Sequence, residues 1–345
     1  MNIQLFATLP QKLLGWYKDS ARDLPWRRDR EPYHVWLSEI MLQQTRVEAV
    51  KPYYERFLHT LPTVEDLANA PYEQVQKLWE GLGYYSRARN LQKAAKVLCE
   101  EHGGIFPSRY DLVRALPGIG DYTAGAICSI CFEQPTPAVD GNVLRVVSRL
   151  CAMPDCVDEP KVKRAVTDVL CEVYPQGQCG MFTQSLMELG ATICLPNGAP
   201  KCEVCPLRDD CAARRQNEVS LYPVRKQKKA RRQEELTLFV LHCDGKIALR
   251  KRPASGLLAG LWEFPHTAGT LELQDALNAV RAFGCEPVEV LSKRNKGHIF
   301  THVEWKMCAF DLKVRALDND FEWVTEEKLR QEYALPTAFR QFLSE

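Results

Sequence analysis

The 345-residue sequence has almost no net charge: 45 lysines and arginines stand against 44 aspartates and glutamates, +1 overall. Global charge therefore draws no partner to it, and any affinity for nucleic acid has to come from a local concentration of cations. No apolar run approaches the roughly 20 residues needed to cross a bilayer. The opening Met1-Asn2-Ile3-Gln4 lacks the basic stretch and apolar run of a secretory signal. A cytoplasmic protein with no membrane partner is expected. No long internal repeat is present. The hydrophobic fraction of 46% and the charged fraction of 26% are ordinary for a globular chain. Its length suits two domains, or three if one is split.

Cysteine is not scarce. The chain has 14, many for a compartment in which disulfides are disfavoured. Cys99, Cys128, Cys131, Cys171, Cys243 and Cys308 sit singly in apolar runs and read as buried small hydrophobes. Cys194, Cys202, Cys205 and Cys211 instead crowd together, with spacers of seven, two and five residues. Four thiolates at such spacing suit zinc or a [4Fe–4S] cluster, zinc being the commoner occupant of an anonymous C-x-x-C. From Lys201 to Arg232 ten basic residues face four acidic ones. This run is either a solvated linker or a surface for phosphates.

Residues 1–215 read as helical, with apolar positions at helical spacing in Leu5-Phe6-Leu9, Val35 to Val50 and Leu91-Ala94-Ala95-Leu98. Residues 216–235 are polar and basic and read as a linker. From 236 to 345 the texture is that of short strands, joined first at Asp244-Gly245, with a helix over Leu273–Phe283 and a last one from Leu335-Pro336. The fold class expected is multidomain: an all-α region followed by an α+β domain.

Residues 116–126, Leu-Pro-Gly-Ile-Gly-Asp-Tyr-Thr-Ala-Gly-Ala, have the form of a helix-hairpin-helix. Gly118 and Gly120 permit a tight turn whose amides face outward at a helix N-terminus, which suits a DNA phosphate. Some twenty residues on, Asp140 precedes Gly141-Asn142-Val143, a position that also reads as a helix N-cap. Here the sequence resembles the helix-hairpin-helix DNA glycosylase superfamily, in which an aspartate after the hairpin faces the target sugar.

Breaking the bond between sugar and base calls for one protonated acid and one ionised carboxylate, the logic of sugar hydrolysis. A Glu buried in an apolar helix has its pKa raised by desolvation. Glu39 is the one charged residue between Val35 and Thr45, with Trp36 and Gln43 on its helical face. Residues 38–45, Ser-Glu-Ile-Met-Leu-Gln-Gln-Thr, match the catalytic-glutamate motif of MutY-type adenine DNA glycosylases. The resemblance implies that Glu39 protonates a flipped adenine and that Asp140 stabilises the sugar, oriented by Tyr122 and Asn142. The related endonuclease III family carries a lysine where this chain has Tyr122. A phenol forms no Schiff base, so a monofunctional glycosylase is expected rather than a lyase.

The same resemblance implies that Arg22, Arg27 and Gln184 line the adenine pocket. It puts Leu42, Gln43 and Gln44 at the gap left in the duplex, with Tyr84 intercalated beside an oxidised guanine. In that superfamily a four-cysteine loop such as 194–211 holds one [4Fe–4S] cluster. Gly256 to Pro265 resembles the start of a Nudix fold, but the following helix lacks the R-E-x-x-E-E carboxylates, so binding without hydrolysis is expected. Phe300-Thr301-His302 matches the family loop that reads 8-oxoguanine; from the residues alone, His302 reads rather as a satisfied strand histidine. The expected partner is double-stranded DNA with adenine opposite 8-oxoguanine or guanine, bound by a monomer. The rivals are an endonuclease III-like lyase and a non-catalytic DNA-binding module that senses redox state through its cluster.

Overall fold

The computed structural model describes residues 3–227, 230–316 and 319–343. Lys228 and Lys229, part of the basic run read as linker, lie outside the described residues. The chain forms two compact units: Met1–Asn69 with Arg89–Gln227, and Ala70–Ala88 with Lys228–Glu345.

The first unit is helical because its apolar residues recur at three- and four-residue spacing and so share helix faces. Leu9 and Leu13 of helix Leu9–Ser20, Val143 and Val147 of Gly141–Leu150, Val162 and Val166 of Pro160–Cys171, and Phe182 and Leu186 of Cys179–Thr192 meet in one core. Each contributes about 1.5–3 kcal/mol through burial. Two helices are buried nearly all round, Pro32–Leu42 and Asp121–Phe132, and they pack on each other. Pro32 starts the first of these, where its missing N–H leaves no helical bond unmade.

Two expectations change here. Cys171 is exposed rather than buried: it ends its helix one residue beyond the buried Leu170. Cys99, Cys131 and Cys243 are half-buried, while Cys128 and Cys308 are buried. Residues 216–227, poor in apolar side chains, are nevertheless held against the first unit through backbone groups. Val157 N–H donates to the Val224 carbonyl, Arg149 to the Tyr222 carbonyl, and Lys226 N–H to Asp158.

The second unit is a mixed sheet: β1 (Arg232–Cys243), β2 (Lys246–Lys251), β3 (Trp262–Glu263), β4 (His266–Ala268), β5 (Cys285–Ile299), β6 (Val303–Ala316) and β7 (Glu322–Thr325). The order is β3-β2-β1-β6-β5, with β4 also on β1 and β7 on β2. β1 and β6 run parallel and the other pairs antiparallel. Asp244 and Gly245, both left-handed, make the two-residue turn between β1 and β2. Along β1, Leu238 and Val240 face one core with Phe339 and Phe342, while Phe239 and Leu241 face the other, under Ala276 and Val280 of helix Leu273–Ala282.

Segment 70–88 joins this unit although it reads as one more piece of the helical region. Its helix Tyr72–Leu78 and the turn after it are tied in by side chains: Gln76 donates to the Gly260 carbonyl, Lys77 to the Tyr333 carbonyl, and Glu80 accepts from Leu335 N–H. Among the described residues no helix is long and apolar enough to cross a membrane.

Candidate active site

Helix Pro32–Leu42 carries Glu39 into the interior of the first unit, where it is 6% exposed. It opens onto a cleft of about 880 Å³ lined also by Tyr122, Asp140, Asn142 and Gln184. Burial pushes the Glu39 carboxyl up to about 7; the Tyr122 hydroxyl and Arg27 oppose that rise, and the neighbouring Asp140 charge adds to it. Tyr122 is itself held well above its ordinary value, first by burial and then by Glu39, so it stays a donor.

Asp140 is the N-cap of helix Gly141–Leu150. Its Oδ1 accepts from the amides of Asn142 and Val143, both at 2.8 Å, and its Oδ2 from Asn142 Nδ2 at 2.6 Å. Burial raises this carboxyl too, against the pull of those donors and of Arg145. Three N–H donors meet Asp140 where one hydroxyl meets Glu39, so of the two acids the proton rests on Glu39.

The resemblance placed both Tyr122 and Asn142 on Asp140. Asn142 makes that bond, whereas the Tyr122 hydroxyl donates to Glu39 Oε2 at 2.5 Å. Arg22 and Arg27 do line the cleft, but both are held by a residue the sequence reading passed over. Glu188, whose side chain is fully buried, takes Arg22 at 2.6 and 2.9 Å and Arg27 at 2.8 Å. It lies one turn beyond Gln184, the lone acid of helix Cys179–Thr192. The pattern that singled out Glu39 could have found it.

The hairpin joins helices Tyr110–Ala115 and Asp121–Phe132. Gly118 has φ +76°, and a Cβ there would meet Asn90 Cβ at 2.6 Å; a Cβ at Gly120 would meet nothing within 4 Å. Both glycines line the cleft, at the N-terminus of the helix that carries Tyr122. Leu42, Gln43 and Gln44 line it as well, with Gln44 in the left-handed region, φ 60°. Such a conformation is costly for a residue with a side chain and collects at functional sites.

Cys194, Cys202, Cys205 and Cys211 line a single pocket with Val146, Leu150 and Leu189. Among the described residues no three His, Cys, Asp or Glu side chains are grouped as ligands of one metal ion. Burial pushes the Cys205 thiol up to about 12, and charge on Cys194, Cys211 and Cys202 would push it further. Two arginines tie helix Gly141–Leu150 to this loop. Arg145 donates to the Cys194 carbonyl and to Asn142 Oδ1, and Arg149 to Cys194 Sγ and the Leu195 carbonyl.

In the second unit Tyr84 is 44% exposed, while Tyr85 is buried. Tyr84 is left-handed, φ 47°, and its hydroxyl lies 2.6 Å from Thr301 Oγ1, at the β5–β6 turn. Phe300 packs edge-on against His298 and Trp305, and His302 is exposed.

Residues 37–171 match the HhH-GPD superfamily of base excision DNA repair proteins, and residues 237–345 match the NUDIX domain. Over 367 residues the sequence is 37% identical to an adenine DNA glycosylase of Mus musculus, covering 89% of this chain and 70% of that protein. The chain belongs to the adenine DNA glycosylase family. It is accordingly a hydrolytic DNA N-glycosylase of base-excision repair, with DNA as its substrate. The Homo sapiens adenine DNA glycosylase is 35% identical over 396 residues, covering 95% of this chain and 72% of that protein. A thermostable thymine-DNA glycosylase is 28% identical with a TM-score of 0.56, covering 62% of this chain and 97% of that one. An endonuclease III in a non-covalent complex with DNA shares the fold, at 24% identity and a TM-score of 0.54, over 63% of this chain and 98% of that one.

Proposed function

We propose that the enzyme excises adenine paired with 8-oxoguanine or guanine, with Glu39 as the acid and Asp140 as the carboxylate that meets the sugar. The observation that carries this reading is the pairing in one cleft of an acid raised to about 7 with a carboxylate held by three N–H donors. A flipped adenine takes a proton from Glu39 and becomes a better leaving group. Asp140 stands against the positive charge that then develops on the sugar. Tyr122 holds Glu39, and Asn142 holds Asp140. With a phenol rather than an amine at residue 122, the chemistry ends at base release.

Tyr84 and Thr301, already paired through their hydroxyls, are suited to probe the opposite base together with Phe300 and His302. The helix Leu273–Ala282 has Asp275 as its sole carboxylate, which favours binding over hydrolysis by the Nudix-like unit. The four cysteines fit a [4Fe–4S] cluster: soft thiol donors set around a pocket, three of them (Cys202, Cys205 and Cys211) raised by burial and by neighbouring thiols, call for a cationic core. Such a cluster would fasten the 194–211 loop, setting Lys201 and Arg208 with the adjoining Arg214 and Arg215 for phosphate contact, and would take no part in hydrolysis. A monomer on duplex DNA suffices for all these roles.

The test is single-turnover excision from an A:8-oxoguanine duplex by wild type and by Asp140→Asn. Wild type releases adenine, and the variant should lose at least about a hundredfold in rate. Undiminished release by the variant would overturn the roles assigned here, and no release by wild type would overturn the substrate.

A further inference from the structure

We infer that Glu188 is a positioning residue that holds Arg22 and Arg27 at the adenine pocket and balances their charge, keeping Glu39 able to carry its proton. This rests on the reading of Glu39 as the acid. Two arginines enter the cleft from one stretch of chain: Arg22 follows helix Leu9–Ser20, and Arg27 lies in the turn Pro25–Arg27. Left unpaired beside a buried carboxyl, two guanidiniums would favour its ionised form, the wrong one for an acid. Glu188 meets both, its Oε1 on Arg22 Nε and its Oε2 shared between Arg22 Nη2 and Arg27 Nη2. Burial alone would raise the Glu188 carboxyl, but the two arginines outweigh it and hold it below its ordinary value. It therefore stays ionised, as a counter-charge must.

The same helix aligns the neutral contacts. Gln184, one turn earlier, accepts from the Tyr17 hydroxyl, and Arg27 sits over the Tyr17 ring. Met187, next to Glu188, touches the Tyr122 hydroxyl with its sulfur. The charged and titratable groups facing Glu39 come from every side: Tyr122 and Cys131 from the hairpin helix, Asp140 from the cap of the next helix, and Arg27 from the turn. Arg27 is the cation among them, and Glu188 is what restrains it. Removing the Glu188 charge acts on Glu39 in one direction, both by taking away an anion and by freeing Arg27. Glu39 then gives up its proton at lower pH.

The experiment is the pH profile of single-turnover excision from an A:8-oxoguanine duplex by wild type, Glu188→Gln and Glu188→Asp, with melting temperatures recorded alongside. Wild type should lose rate as pH rises through about 7. Glu188→Gln should shift that limb about one unit toward acid, so that the rate at pH 8 falls about tenfold below wild type while the rate at pH 5.5 stays within about threefold. Glu188→Asp, which keeps the charge, should keep the limb in place whatever its rate. Should Glu188→Gln not fold, Arg22→Gln carries the test, since removing a cation should shift the limb toward alkali. A Glu188→Gln loss of equal size at every pH, or an unmoved limb, overturns the inference. A wild-type profile with no alkaline limb overturns instead the assignment of Glu39.

Discussion

Glu39 trades stability for function, and the sign of the trade follows from its protonation. Its folded-state pKa of about 7 lies above the ordinary 4.5. Between those values the folded protein keeps a proton that the unfolded chain has released. Stability from this group is therefore complete below about 4.5 and is lost as pH rises through about 7, by at most roughly 3 kcal/mol. Glu39→Gln should raise the urea midpoint at pH 8 and leave it unchanged near pH 4, while abolishing excision. Equal midpoints at both pH values would mean that the carboxyl is not held protonated. At this scale the sequence spoke clearly where a lone acid stood in an apolar helix. It was silent on which carboxylate the Tyr122 hydroxyl would meet, because two acids lie close by and only three-dimensional placement decides between them. Glu188 stands out in its helix as a lone acid, but its partners Arg22 and Arg27 lie 166 and 161 residues earlier, a pairing that no local pattern shows.

At the scale of elements, the hairpin separates two tasks between its glycines. Gly118 is needed for the turn itself: its φ is left-handed and Asn90 occupies the space a Cβ would take. Gly120 has an ordinary φ of −95° and open space, so a side chain there would project away from the protein, into the space proposed for a DNA phosphate. Gly118→Ala should destabilise the fold by about 1–3 kcal/mol. Gly120→Ala should melt like wild type yet bind DNA several-fold more weakly, since a phosphate would no longer reach the amides. Thermal melts beside binding titrations at fixed salt distinguish the two, and a parallel loss of stability in both variants would refute the division. Helix types and the β1–β2 turn were legible because periodicity and Asp244-Gly245 are local signals. The parallel pairing of β1 with β6 was not, since register between strands some sixty residues apart leaves no local mark.

For the whole molecule, the departure that matters is segment 70–88. Its short helix looked like part of the helical region, because an amphipathic face does not name its partner. Gln76, Lys77 and Glu80 find theirs at Gly260, Tyr333 and Leu335. A chain cut after Gln227 keeps every residue lining the cleft but removes the bonds these three make to Gly260, Tyr333 and Leu335. Such a truncation should retain a folded first unit while the amides of Tyr72–Leu78 exchange at near-unprotected rates. Protection of that helix equal to that in the full chain would show it to be anchored elsewhere.

The divided second unit also sets an order of events during synthesis. Residues 70–88 leave the ribosome when their partners from 228 onward are still about 140 codons away. At about 5–20 residues per second, that is roughly seven to thirty seconds. Through that interval helix Tyr72–Leu78 has been made without the residues that hold it, while Tyr122, Asp140 and Gln184 follow it off the ribosome. The nascent enzyme must complete its last strands before the stretch between its first helices has a settled place.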